Sequence, residues 1–288
     1  MEESMDTHRT TDIRSHVDAT LLYLKDASER PVSYTFEPPP GVPWRSGNNI
    51  EVSVPVQDGR PLEGRTSLDR EGFAFVRHPT TVSDFHDAAV VKSTYFEESA
   101  RLVRRITGAS KVITFDHNLR HAAAPGRNST GISQPVRRVH NDFTADSGLR
   151  RARDELLARG EDAERLLKHR FAIINVWRPI RGPVQDSPLA VCDARTVDPR
   201  DLVVSDLVYR DRVGHTYAVA YNSKHRWFYF PEMRIDEALL IKSFDSETGG
   251  GTARFAPHTA FDDPNSPPGA APRESIEVRT LALFAPDA

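Results

Sequence analysis

The amino-acid sequence predicts a mainly β protein with flanking helices, arranged as a double-stranded β-helix, or jelly roll. Its second half runs through short strand candidates at residues 171–177, 202–209, 216–221, 226–230, 238–244, 252–255 and 275–284. Turn-forming clusters such as Asn222-Ser223-Lys224 and Gly249-Gly250-Gly251 separate them, the punctuation expected of an antiparallel sandwich or barrel. A chain of 288 residues can bury a full core, and a β fold of this size commonly forms one domain. Residues 1–288 are therefore read as a single domain.

Taken in order, residues 19–24 form an early apolar strand, and Pro38-Pro39-Pro40-Gly41-Val42-Pro43 and residues 59–64 interrupt regular structure. Residues 1–70 read as an extended decoration or lid. A short strand at 72–76 precedes residues 93–107, where Phe96, Ala100, Val103 and Ile106 recur at helical spacing up to Gly108. Its expected role is to buttress a sheet. After a strand at 111–115 and a polar, glycine-containing loop at 122–131, a strand ends on Val139-His140. Residues 145–170, rich in Arg, Glu and Leu and broken near Gly160, read as a surface helical insertion.

Composition narrows the function classes. A formal net charge of −3, with basic and acidic residues interspersed, offers no cationic stripe for nucleic acid. No run reaches the roughly 20 apolar residues of a membrane span, and the polar start has no signal-peptide core. The single cysteine, Cys192, excludes an internal disulfide framework and a Cys-rich zinc site, and fits a buried packing role in a cytoplasmic protein.

Three short signals remain: His140-Asn141-Asp142, then His258, then Arg273-Glu274-Ser275. Imidazole and carboxylate ligands from a His-x-Asp pair and a distant His can hold Fe(II) on one face, leaving positions open for a cosubstrate and O2. Singly the motifs are weak. A second His-x-Asp occurs at His16-Val17-Asp18, and Arg-x-Ser also begins at Arg65 and Arg127, so order and strand-like surroundings carry the weight. His140 and Asp142, two residues apart, would share one face of a strand end. In the last strand, alternation groups Arg273, Ser275, Glu277 and Arg279 on one face and Ile276 and Val278 on the other. Arg273 can grip a distal carboxylate in a bidentate fork, with Ser275 as a further donor. His225 rivals His258, since Arg234 follows it by nine positions. Asn175, Trp177 and Arg178 end another strand and, with His225, are candidates for shaping the substrate pocket.

The pieces Val139-His140-Asn141-Asp142-Phe143-Thr144, Asn175-Val176-Trp177-Arg178-Pro179-Ile180, Pro188-Leu189-Ala190-Val191-Cys192-Asp193, His225-Arg226-Trp227-Phe228-Tyr229-Phe230 and Pro272-Arg273-Glu274-Ser275-Ile276-Glu277-Val278-Arg279 are more specific together than either metal motif. Through them the chain, from about Gly72 to Arg279, resembles the hydroxylase/desaturase family of secondary metabolism, which includes the cephalosporin 7α-hydroxylase component of cephamycin biosynthesis and fungal toxin oxygenases. The resemblance implies a jelly-roll oxygenase using Fe(II), 2-oxoglutarate and O2. It carries the iron role onto His140, Asp142 and His258 and the cosubstrate role onto Arg273. It points to a small secondary metabolite as substrate, a cephem antibiotic intermediate first, and to a methyltransferase partner. Arg273 follows His258 by 15 positions, more than the plant-type spacing of about ten in this class. Two other readings stay open: a non-catalytic jelly-roll partner subunit, and a cupin-type metal enzyme that does not use 2-oxoglutarate.

Overall fold

The computed structural model describes residues 16–124 and 132–285. The polar start, most of the 122–131 loop and the Arg127 copy of Arg-x-Ser lie outside the described residues.

Fifteen strands among the described residues form two sheets. They are β1 (His16–Leu24), β2 (Val32–Tyr34), β3 (Asn49–Asp58), β4 (Phe73–Arg77), β5 (Lys111–His121), β6 (Ile132–Ser133), β7 (His140–Asn141), β8 (Phe171–Pro179), β9 (Leu189–Cys192), β10 (Leu202–Val208), β11 (Val213–Val219), β12 (Trp227–Tyr229), β13 (Glu237–Asp245), β14 (His258–Ala260) and β15 (Glu274–Leu283). The larger sheet has the order β1-β3-β12-β9-β14-β7-β11-β10-β2, and the smaller β4-β13-β8-β15-β5-β6. This is the jelly roll.

Alternation along each strand divides the core. From β9, Leu189 and Val191 meet Phe73, Trp177, Phe228 and Ile241 between the sheets, while Ala190 and Cys192 pack on the other side with Leu21, Tyr23, Trp227 and Tyr229. Isolated bridges from Leu22 to Arg138 and from Leu24 to Ala220 tie β1 across to the opposite side of the larger sheet, which curls around that second core. The N-terminal segment expected as a decoration thus supplies three strands, β1, β2 and β3, with β1 and β3 paired from His16–Gln57 to Leu24–Asn49. Its Leu21 and Tyr23 are buried.

The outer face of the smaller sheet is covered by the helix Phe96–Thr107, whose Leu102 and Val103 sit against Ala172, Ile174 and Val176 of β8. That helix ends at Gly108, whose φ of 71° places it in the left-handed region that glycine adopts without a Cβ penalty. The helices Ala145–Leu157 and Ala163–Leu166 follow the His-x-Asp segment. Thr144 caps the first of them in a reciprocal box with Ser147. Gly148 lies so close to Phe244 of β13 that a Cβ there would stand 2.5 Å from the ring, which fixes the helix against the sheet.

Two local expectations change. Residues 252–255 carry no strand; the strand begins at His258 itself, because Ala256 and His258 to Ala260 take the hydrogen-bonding positions beside Lys242, Val136 and β9. Strand β5 continues to His121, well past the expected end at 115, since β15 pairs with it over its whole length. The register slips between Arg279 and Thr280: Asp116 faces Arg279, Thr114 faces Thr280, and Phe115 is the extra residue of a β-bulge.

Candidate metal and cosubstrate site

His140 and His258 are paired residues of β7 and β14, and His258 also pairs with Val191 of β9. Both imidazoles therefore project from the larger sheet toward the smaller one. Asp142 follows two residues after His140, where Asn141 anchors the chain by donating from Nδ2 to Phe143 O at 2.7 Å and Ser243 O at 2.8 Å. Among the described residues these three form the group of His, Cys, Asp or Glu whose ligand atoms converge, all within 4.8 Å of one another. Asp142 Oδ1 lies 3.6 Å from His140 Nε2 and 4.0 Å from His258 Nε2.

The free nitrogens are set by the backbone. His140 Nδ1 lies 2.8 Å from Arg138 O and His258 Nδ1 3.1 Å from Ala256 O. A carbonyl oxygen only accepts, so each Nδ1 carries the proton and each Nε2 presents its lone pair to the cluster. Burial, reinforced by His258, pushes the His140 imidazole down to about 3, so it is neutral at physiological pH. Burial opposes ionisation of Asp142, but Arg279 and the two imidazoles outweigh it and hold the carboxyl well below the usual range. Two imidazoles and one carboxylate are a donor set suited to Fe(II).

The wall opposite is the inner face of the smaller sheet. Register places Glu277 beside Trp177 and Arg279 beside Asn175 across β15 and β8, and Arg120, Asn118 and Asp116 beside Ser275, Glu277 and Arg279 across β15 and β5. Arg273, just before β15, is 4% exposed and lies over the Trp177 ring at 5.4 Å. It donates from NH1 to Ser187 O at 2.5 Å. Its Nε and the Ser275 Oγ are buried polar atoms without a hydrogen-bond partner among the described residues. Buried donors of this kind are normally satisfied, so the pair fits an acceptor supplied by a ligand. Burial, followed by the nearby Arg120, lowers the Arg273 guanidinium to about 9, which still leaves it cationic at neutral pH. A distal carboxylate matches both the charge and the donors.

The remaining candidates divide. Asn175 and Trp177 share the inner face, but Asn175 Nδ2 donates to Asp142 Oδ2 at 2.8 Å and Trp177 packs beneath Arg273. Arg178 points the other way, since period two turns its side chain to the helix-covered face. There NH2 donates to His78 O at 2.8 Å, NH1 donates to Ile235 O at 3.1 Å, and the guanidinium lies over Tyr95. It does not line the pocket. His225 is also separate from the cluster, stacked on Tyr23 and bonded to Asp201 Oδ2 at 3.1 Å in the core on the far side of the larger sheet. Its would-be companion Arg234 is paired with Asp236.

Sequence reading missed the contribution of β5. Asp116, Asn118 and Arg120 alternate with His117 and Leu119, a period-two polar pattern that marks a strand with one wet face. The pattern lies beyond the strand end expected at 115. Arg279 was placed on the correct face without a partner.

Comparison with known proteins agrees with this architecture. A family model described as an oxidoreductase/YMDC permease-like domain matches residues 21–283. The Fe(II)/2-oxoglutarate-dependent dioxygenase nvfI of Aspergillus novofumigatus is 35% identical over 282 residues, covering 94% of this chain and 98% of its own. The hydroxylase/desaturase CTB9 of Cercospora beticola is 38% identical over 253 residues, covering 81% and 76%. A solved structure of the iron and alpha-ketoglutarate-dependent endoperoxidase NvfI superposes with a TM-score of 0.84 at 32% identity, covering 94% of this chain and 99% of that one. The chain belongs to the hydroxylase/desaturase family of Fe(II)- and 2-oxoglutarate-dependent dioxygenases. It is an enzyme of secondary metabolism whose reagents are Fe(II), 2-oxoglutarate and O2, and the non-catalytic and cupin-type readings give way to this one. No helix among the described residues is long and apolar enough to cross a membrane.

Proposed function

We propose that His140, Asp142 and His258 hold Fe(II), that Arg273 and Ser275 hold the distal carboxylate of 2-oxoglutarate, and that the enzyme hydroxylates or desaturates a small secondary metabolite. The observation that carries the reading is the His-Asp-His cluster, His258 buried and the other two half-buried, with both Nε2 atoms turned inward, together with two buried unsatisfied donors, Arg273 Nε and Ser275 Oγ, at the start of β15. Held by His140, Asp142 and His258, the metal would supply with 2-oxoglutarate and O2 the oxidising power for C–H cleavage, 2-oxoglutarate ending as succinate and CO2.

The chain's own residues supply geometry and exclusion of water. Carbonyls of Arg138 and Ala256 keep both imidazoles in the ligating tautomer. Trp177, 3% exposed, closes the floor under Arg273 and holds its guanidinium by a cation–π contact. Arg273 is buried and, among the described residues, has no carboxylate bonded to it, so an incoming dicarboxylate meets a cation that has already been desolvated. The first substrate to test is a cephem intermediate, whose hydroxylated product a methyltransferase partner would consume, and the setting is the cytoplasm.

Anaerobic addition of Fe(II) and 2-oxoglutarate is expected to give a weak visible charge-transfer band. That band and substrate-triggered succinate release should fall to background in His140→Ala, Asp142→Ala and His258→Ala, and persist in His225→Ala. Retention of the band in Asp142→Ala, or its loss in His225→Ala alone, overturns the ligand assignment.

A further inference from the structure

The two oxygens of Asp142 have different surroundings. Oδ1 faces the two Nε2 atoms. Oδ2 accepts three hydrogen bonds, from Asn175 Nδ2 at 2.8 Å, Arg279 Nε at 3.1 Å and Arg279 NH2 at 3.0 Å. A carboxylate oxygen offers about two lone-pair directions, so Oδ2 is saturated.

The guanidinium that does this is itself held in place. Arg279 NH1 donates to Asp116 Oδ2 at 3.0 Å, and NH2 also reaches Glu277 Oε1 at 3.2 Å. Three strands thus converge on the Asp142–Arg279 pair: Asn175 from β8, Arg279 and Glu277 from β15, and Asp116 from β5.

We propose that Arg279 and Asn175 are a positioning pair that makes Asp142 a one-oxygen ligand, and so keeps a coordination position free. This rests on the ligand assignment above. A carboxylate binding through both oxygens would occupy two positions. With two imidazoles, that would leave one fewer than the three that a chelating 2-oxo acid and O2 need together. The pair prevents this by filling Oδ2 with donors that a metal would have to displace. It also explains why Asn175, on a face of β8 otherwise made of Phe171, Ile173, Trp177 and Pro179, is fully buried.

The test uses the full chain and needs no substrate. At saturating iron and 2-oxoglutarate, without O2, the band is read first, and nitric oxide is then added as an O2 surrogate and its iron adduct read by EPR, for Asn175→Ala, Arg279→Gln and Arg279→Lys. With Asp142 bound through both oxygens two positions remain, enough for the 2-oxo acid, so Asn175→Ala and Arg279→Gln are expected to keep the band and to lower the nitric-oxide signal by about 10-fold or more. Arg279→Lys keeps the charge but cannot span Asp142 and Asp116 with one ammonium, so it should remain impaired. Full rescue by lysine overturns the fork geometry. A wild-type nitric-oxide signal in folded Asn175→Ala and Arg279→Gln overturns the proposal altogether. Thermal melting of the apo-proteins establishes folding, and Asn175→Ala, which removes the smaller group, carries the test if Arg279→Gln does not fold. Absence of iron binding and band in the wild type would instead overturn the ligand assignment.

Discussion

Arg178, fully buried, and Arg279, half-buried, are guanidiniums on neighbouring strands of the same sheet, yet they serve different ends. Arg279 faces the larger sheet and is surrounded by the carboxylates of Asp142, Asp116 and Glu277. Arg178 faces the helices and is held by the carbonyls of His78 and Ile235 and the ring of Tyr95. The lesson is that residue type announces a buried charge, while strand phase decides whether that charge serves chemistry or packing.

The comparison can be sharpened by three substitutions beyond those above. Arg273 stands on the chemical side, and Arg273→Ala is expected to have the largest effect. Removing one member of a buried, hydrogen-bonded charge pair costs about 2–5 kcal/mol, so the KM for 2-oxoglutarate should rise roughly 30-fold or more. An unchanged KM would move the anchor to another residue, with Arg120 next in place. Arg178→Met belongs to the packing side. It strands the two carbonyls and should cost about 2–3 kcal/mol, seen as a Tm lower by roughly 5–10 °C, with 2-oxoglutarate affinity unaltered. A shift in that affinity would break the division between the faces.

The smallest effect concerns His78, which accepts from Arg178 at Nδ1. Burial, with Arg178 beside it, lowers its imidazole from 6.5 to about 4. Between those values the unfolded chain takes up a proton that the folded one refuses. Stability from this group is therefore complete above about pH 6.5 and declines as the pH falls toward 4. His78→Gln should flatten that part of the Tm–pH curve, and an unchanged acid slope would assign the titration elsewhere.

Much of this was readable in the residues. The jelly roll followed from punctuated strands, and the helix Phe96–Thr107 from its apolar spacing and Gly108. His140, Asp142 and His258 converge in space, while the alternation of Ser275, Glu277 and Arg279 against Ile276 and Val278 places the two sets on opposite faces. What escaped depends on long-range pairing. Strand β3 follows a proline-rich stretch and is ordered by pairing with β1 and β12. His225 looks like a ligand in sequence, and only the stacking on Tyr23 and the bond to Asp201 reveal a core histidine. Arg178 sits one residue from Trp177, and a one-residue offset in a strand is a change of side.

The β-bulge at Phe115 has a counterpart in heredity as well as in shape. Upstream of it Ile113 packs between the sheets; downstream Asp116 and Arg120 are the ones that turn inward, and Leu119 packs outward against Ile276 and Val278. That single codon is a spare letter in three dimensions: its loss would make Thr114 and Asp116 consecutive paired residues and leave Asp116, Asn118 and Arg120 facing inward, removing one ring from the cluster around Ile113 and Phe244.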